Sequence, residues 1–123
     1  MATIADKVLD SGLNTLTNDA NRVDITSQEA TSYTDATSTS TLGNTTSITI
    51  SSPADRTGGG RKVTMSAISG GSVTATGTAT HYSISDTTNS ILLATGSLTA
   101  SQSVTSGNTF SLESLDIGIP DPS

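Results

Sequence analysis

The residue best suited to acid–base chemistry in this sequence is its one histidine, His81. Ser83 and Ser85 follow it at two-residue spacing, which places all three side chains on one face if the segment is a β-strand. A serine nucleophile needs a base within hydrogen-bond reach and a third group that orients this base. A polar strand face more often carries a surface or interface histidine. We therefore predict no catalytic residue and no enzymatic activity.

Metal-ligating residues are scarce. The chain has no cysteine, so it lacks the several nitrogen and sulfur ligands of a zinc site. The nearest oxygen cluster comprises Asn18, Asp19, Asn21 and Asp24, but it lacks the spacing of an EF-hand and its final bidentate glutamate. Helix termination is the favoured interpretation of these residues, and a weak calcium site near Asp19 and Asp24 stays open as the alternative. We predict no metal and no cofactor.

A glycine-rich stretch, GGGRKVT from Gly58 to Thr64, invites comparison with a phosphate-binding loop. That loop needs Gly-Lys-Ser/Thr at the start of a helix, whereas here Arg61 intervenes and a strand-like alternation follows. The stretch is notable for charge instead, because Arg56, Arg61 and Lys62 are three of only five basic residues. Two interpretations stay open: a solvated hairpin end, or a docking loop for an acidic partner surface. In either case we expect these loop charges to add little to stability.

The overall charge narrows the choice of partners. The net charge is −6, whereas binding to nucleic acid needs clustered Lys and Arg, so we predict no nucleic-acid partner. No segment is apolar enough for a membrane span or a signal peptide, so we expect a cytoplasmic origin and no membrane partner.

Hydrophobic residues make up 32% and aromatic residues 2% of the chain, which allows only a thin core. Stability is therefore expected to depend partly on a partner or on a homo-oligomer.

Apolar periodicity predicts one helix, at the N-terminus. Residues 3–17 carry an apolar stripe at three- and four-residue spacing, and Gly12 is expected to break the helix into two pieces. The stripe consists of Ile4, Val8, Leu9, Leu13 and Leu16.

Alternation of apolar and polar residues predicts strands in most of the remaining chain. The expected strands before residue 68 are 22–27, 46–51 and 61–67, separated by polar loops at 28–45 and 53–60. The Ser- and Thr-rich stretch that follows is expected to turn at 69–71, 86–89 and 106–108.

Two expectations concern the faces of these later strands. Tyr82 and Ile84 are expected to share one face, with the polar face beside His81 turned outward. The apolar run from Ile91 to Leu93 is expected to lie in the core.

These patterns predict a mainly all-β fold: a single β-sandwich or barrel of short antiparallel hairpins with a short N-terminal helical segment. We predict one domain over residues 1–123, with the helical segment at 1–20, a β domain at 21–120 and a tail at 121–123.

Several stretches of the sequence are similar to those of a known protein family. The stretches VLDSGLNTL, VDITSQEATSYTDATSTSTLGNTT, GRKVTMSAISGGSVTATGTATHYSISDTTNSILLATGSLTASQSVTSGNTFSL and LDIGIP together resemble small virion structural proteins of tailed bacteriophages. The resemblance runs from Val8 to Pro120 and includes no catalytic motif. Two positions depart from it: Ala30 stands where a proline is expected, and Tyr82 where a tryptophan is expected.

The resemblance implies a head decoration, or cement, protein that binds the major capsid protein on the outer surface of the virion. The candidate interface residues are Arg56, Arg61, Lys62, Tyr33, Ile4 and Val8. The alternative is a tail, collar or fibre-associated virion protein that contacts the host. A bacterial adhesin or a carbohydrate-binding module is disfavoured, because aromatic residues are scarce and no export signal is evident.

Overall fold

A computed structural model describes residues 5–120, so the predictions made for Ile4 and for the tail 121–123 lie outside the described residues. The protein is mainly β with one N-terminal helix, which confirms the predicted fold class. The elements in chain order are α1 Asp6–Asp19, β1 Arg22–Thr26, a π-helical turn Asp35–Thr39, β2 Thr41–Thr45, β3 Ala54–Asp55, β4 Arg61–Met65, β5 Ile68–Val73, β6 Gly77–Asp86, β7 Ile91–Val104, β8 Thr109–Leu112 and β9 Leu115–Ile119.

The chain forms two compact units. The first, here called the helical unit, comprises the described residues 5–19, 49–67 and 113–120. The second, the six-stranded unit, comprises residues 20–48 and 68–112.

The six-stranded unit is one curled antiparallel sheet in the order β7-β6-β1-β2-β5-β8. Val23 lies opposite Ile84 and Ile25 opposite Tyr82, so these side chains share the apolar face, as their alternation predicted. Val23, Ile25 and Ile84 are fully buried there.

The polar face of this sheet is also buried at its centre, contrary to the expectation that it faces outward. Asp24 lies opposite Ser83, and both are fully buried, as is Ser85. The segment 27–40 lies over this face, because Arg22 Nη2 donates to the carbonyl of Thr37 in that segment. The carboxylate of Asp24 is hydrogen-bonded there, which offsets the cost of burying its charge, whereas the hydroxyls of Ser83 and Ser85 make no hydrogen bond within the described residues.

The predicted loop 28–45 is wrong in its second half, which contains the π-helical turn and β2. β2 has one buried aliphatic side chain, Leu42, and therefore shows no alternation; its pairing with β1 and β5 specifies it instead. Gly43 permits that pairing, since a Cβ at this position would lie 2.5 Å from the Ser72 carbonyl oxygen and 3.0 Å from Val73 Cα.

Two predictions for the later strands are also wrong. No hairpin turn forms at 69–71, because β5 runs on through these residues; the positive φ of Gly70, 80°, accommodates a register shift between Ile68 and Gly71. The run from Ile91 to Leu93 is not core, because β7 is an edge strand and Ile91 is 49% exposed. The predicted turns at 86–89 and 106–108 are confirmed.

The helical unit packs α1 against the antiparallel sheet β3-β4-β9. The helix continues through Gly12, contrary to the predicted break. Burial of Leu9, Leu13 and Leu16 outweighs the cost of one helical glycine, which is about 1 kcal/mol, since each buried leucine contributes about 1.5–3 kcal/mol.

The sheet of this unit is shorter than predicted. The predicted strand 46–51 reduces to an isolated bridge between Ile50 and Met65, and the strand expected at 61–67 ends at Met65. The two-residue β3 interrupts the loop expected at 53–60. Val63 and Met65 are fully buried and face the core of this unit.

Candidate partner-binding surface

Five of the six predicted interface residues lie within the described chain. Arg56, Arg61, Lys62 and Val8 belong to the helical unit, and Tyr33 belongs to the six-stranded unit. Val8 departs from the buried stripe of α1: it is 62% exposed and remains available to a partner.

Arg61 is an internal anchor of the helical unit. Its Nε donates to Asp10 Oδ1 at 2.8 Å and its Nη2 to Asp10 Oδ2 at 3.3 Å, so it binds a carboxylate of α1 in bidentate fashion. Its Nη1 donates to Asp55 Oδ1 at 2.6 Å, and Asp6 Oδ2 is 3.8 Å away. These carboxylates, with the hydrogen bond to Asp10 first, raise the pKa of Arg61 further above its usual value.

The side chain of Arg61 is only 17% exposed. From this geometry we expect Arg61 to contribute more to stability than the other two charges of the loop, because it joins the helix to the sheet. Sequence reasoning missed Asp10 as its partner, because the two residues are 51 positions apart and share no local pattern.

Lys62 is paired across two strands. Its Nζ donates to Asp116 Oδ2 at 2.9 Å, and Thr64 Oγ1 donates to Asp116 Oδ1 at 2.7 Å. The hydrogen bond from Thr64, then that from Lys62, holds the pKa of Asp116 below its usual value. Asp116 thus stays ionised and neutralises much of the Lys62 charge.

Arg56 differs from the other two cations. No carboxylate lies within 4.0 Å of its guanidinium among residues 5–120. Its Nη1 donates to the Gly59 carbonyl at 3.0 Å, and its side chain lies close against Gly118 of β9. The loop reaches this shape through Gly58, Gly59 and Gly60, whose φ values of 90°, 104° and 93° favour glycine.

An open depression of about 360 Å³ lies beside this arginine. It is lined by Arg56, Thr57, Lys62, Asp116 and Gly118, and we call it the basic depression. Its charged groups sum to one net positive charge, in a chain whose net charge is −6. The arrangement can hold one anionic group.

Tyr33 lies near the ion pair Arg22–Asp24 of the six-stranded unit. Arg22 contacts both carboxylate oxygens of Asp24, at 2.8 and 2.9 Å, and Thr41 Oγ1 donates to Asp24 Oδ2 at 2.7 Å. The hydrogen bond to Asp24 raises the pKa of Arg22 and outweighs the opposing effect of burial; Tyr33 acts in the same direction as Asp24. Both oxygens of Asp24 thus serve the interior of the sheet. The sequence did contain a signal for this ion pair, because Arg22 and Asp24 carry opposite charges two residues apart on a predicted strand.

His81 lies on β6 with Ser83 and Ser85, as their spacing predicted. The Thr80 hydroxyl lies 2.8 Å from His81 Nδ1. The hydroxyls of Ser83 and Ser85 are buried and make no hydrogen bond within the described residues. Between residues 5 and 120 no three His, Cys, Asp or Glu side chains are grouped as metal ligands.

Comparison with protein-family models, curated proteins and solved structures found no match for this chain. No helix among the described residues is long and apolar enough to cross a membrane.

Proposed function

We propose that this protein is a non-enzymatic virion structural protein of a tailed bacteriophage, which binds the outer capsid surface and stabilises the head. The observation that carries the proposal is the basic depression, an open site with net positive charge on an acidic protein. Such a site favours an acidic protein surface as partner, because charge complementarity steers association and selects partners. The sequence resemblance to phage virion proteins supports the capsid as that acidic surface.

The use of the other polar groups also supports this proposal. Arg61, Asp24 and Asp10 are engaged in ion pairs that hold elements of their own unit together. Polar side chains thus help to hold together a small protein that has only a thin hydrophobic core. A decoration protein acts in many copies, so weak individual contacts can sum to a large stabilisation of the shell.

The test uses heads that lack this protein, mixed with the purified chain. We expect saturable binding to heads and a higher temperature of DNA release from the decorated particles. Binding to tails alone would replace the proposal by the alternative, a tail, collar or fibre-associated protein that contacts the host. Binding to neither structure would reject the virion role.

A further inference from the structure

Two contacts hold the Arg56 side chain in place. The Gly59 carbonyl holds one end of its guanidinium. Gly118 leaves room for the Arg56 side chain, since a Cβ at position 118 would lie 2.9 Å from Arg56 Cδ and 3.1 Å from its Nε. An arginine fixed in this way loses little side-chain entropy when it binds a ligand.

The charge balance of the basic depression selects the ligand. Arg56 and Lys62 contribute two positive charges and Asp116 one negative charge, so a single negative charge neutralises the site. A dianionic phosphate would leave excess negative charge next to Asp116. The guanidinium fork matches the two oxygens of a carboxylate, and Thr57, which also lines the depression, carries a hydroxyl that can donate.

We propose that the basic depression receives one Asp or Glu side chain of the partner protein, with Arg56 as its direct ligand. This inference rests on the proposed function, in which the partner is the capsid surface. It also assigns different roles to the three basic residues: Arg56 binds the partner, Lys62 holds Asp116, and Arg61 anchors α1.

The experiment compares three single variants. Arg56→Gln removes the charge, and Gly118→Ala keeps the charge but displaces the Arg56 side chain. Lys7→Gln is the matched control, because it removes one exposed positive charge from α1 of the same unit. We expect Arg56→Gln and Gly118→Ala to weaken binding to heads by roughly tenfold, and Lys7→Gln by less than about twofold.

A second measurement needs no heads. Sodium acetate is titrated into the isolated protein while NMR follows the Arg56 Nε–H signal and the Gly118 amide. We expect saturable shifts at both sites that Arg56→Gln abolishes, and smaller shifts with inorganic phosphate. Circular dichroism melts of each variant confirm that it is folded.

The outcomes separate this inference from the proposed function. If the wild-type protein binds heads and Arg56→Gln binds them equally well, the receptor is rejected and the decoration role stands. If the wild-type protein binds no heads, the proposed function fails and the acetate titration alone decides the inference. Absent acetate shifts, or larger shifts with phosphate, overturn the carboxylate receptor.

Discussion

The ring of Tyr82 lies directly over Gly96, its cross-strand neighbour in the β6–β7 pair. A Cβ at Gly96 would overlap the Tyr82 ring and hydroxyl. The same relationship occurs at the opposite edge of the sheet, in the β5–β8 pair, where the ring of Phe110 covers Gly71. A chain with few aromatic residues thus gains large buried contacts by placing a ring over a glycine, which leaves backbone accessible to it.

Gly96→Ala is expected to destabilise the protein, because the added methyl group forces the Tyr82 ring away from β7. We expect a loss of roughly 1–3 kcal/mol in the free energy of unfolding. The measurement is the midpoint of urea unfolding followed by circular dichroism. An unchanged midpoint would show that the ring moves freely and that this contact adds nothing.

Gly12→Ala provides the same substitution with the opposite expected sign. Its Cβ would meet only Ile119 Cδ1, at 3.6 Å, which is an ordinary contact. Alanine is also more favourable than glycine in the interior of a helix. We expect a gain of about 0.5–1 kcal/mol in the same urea experiment, and a loss would indicate that α1 requires the flexibility of glycine.

The buried pair Arg22–Asp24 is expected to carry more stability than the exposed pair Lys62–Asp116. Asp24→Asn leaves Arg22 without its carboxylate beneath the segment 27–40, where the Asp24 side chain is fully buried. We expect a loss of about 3 kcal/mol, within the range for breaking a buried pair from one side. Asp116→Asn is the control and should change the unfolding midpoint far less, because Asp116 is 53% exposed. Equal effects of the two variants would contradict the structural role given to Asp24.

Alternation predicted the strands whose apolar residues mark one buried face. Val23 and Ile25 in β1 and Ile84 in β6 lie on the buried face that their spacing predicted. β2 was missed because its sequence, TLGNT, carries one aliphatic residue, and backbone pairing on both edges specifies it. Such pairing depends on chain segments far apart in sequence, which local periodicity does not contain.

The basic loop shows the same limit at the candidate site. Its positive charges and their accumulation near three glycines were evident from the sequence. The sequence did not distinguish Arg56 from Arg61, because the difference lies in partners such as Asp10, 51 residues from Arg61. Burial of Ser83 and Ser85 was likewise missed, since it depends on the segment 27–40 crossing the polar face.

Acid is expected to destabilise the protein through its hydrogen-bonded carboxylates. Asp86 accepts from Asn89 Nδ2 at 2.8 Å and from the Thr88 amide at 2.9 Å, which lowers its pKa in the folded state, with the bond from Asn89 as the largest cause. The unfolded chain therefore binds protons first, near its pKa of about 3.9. The stability from Asp86 is present above that pH and is lost as the pH falls through the lower folded pKa.

Urea unfolding at pH 7 and at pH 3 measures this effect. We expect a lower midpoint at pH 3, a smaller pH dependence in Asp86→Asn, and an intermediate one in Asn89→Ala, which removes a single donor. Asp35 and Asp116, whose pKa values are also lowered, keep part of the dependence in both variants. A midpoint that does not fall in acid would contradict the contribution of these carboxylates.

Arg61→Gln is expected to destabilise the helical unit more than Arg56→Gln does. Arg61 joins Asp10 of α1 to Asp55 of β3 and also donates to the Pro53 carbonyl, whereas the Arg56 side chain, among residues 5–120, donates within its own loop and lies against Gly118. Glutamine cannot bridge two carboxylates and leaves both of them without a cation. Arg61→Lys should lie between the wild type and Arg61→Gln, because lysine keeps the charge but lacks the guanidinium fork. Thermal unfolding followed at 222 nm, where helix dominates the signal, measures the difference.

Asp6→Asn is the matched control for this experiment, because Asp6 is 64% exposed and lies 3.8 Å from Arg61, so its loss should have little effect. A melting temperature of Arg61→Gln equal to that of Arg56→Gln would show that Arg61 does not anchor the helix.

The expected result for Arg61→Gln also determines which variant should be used to test binding to heads. Reversing Arg56, Arg61 and Lys62 together would place a glutamate beside Asp10 and Asp55, and lost attachment to heads could then come from lost structure. Single substitution of Arg56 keeps the anchor of α1 intact, so a loss of binding in that variant reports on the partner contact.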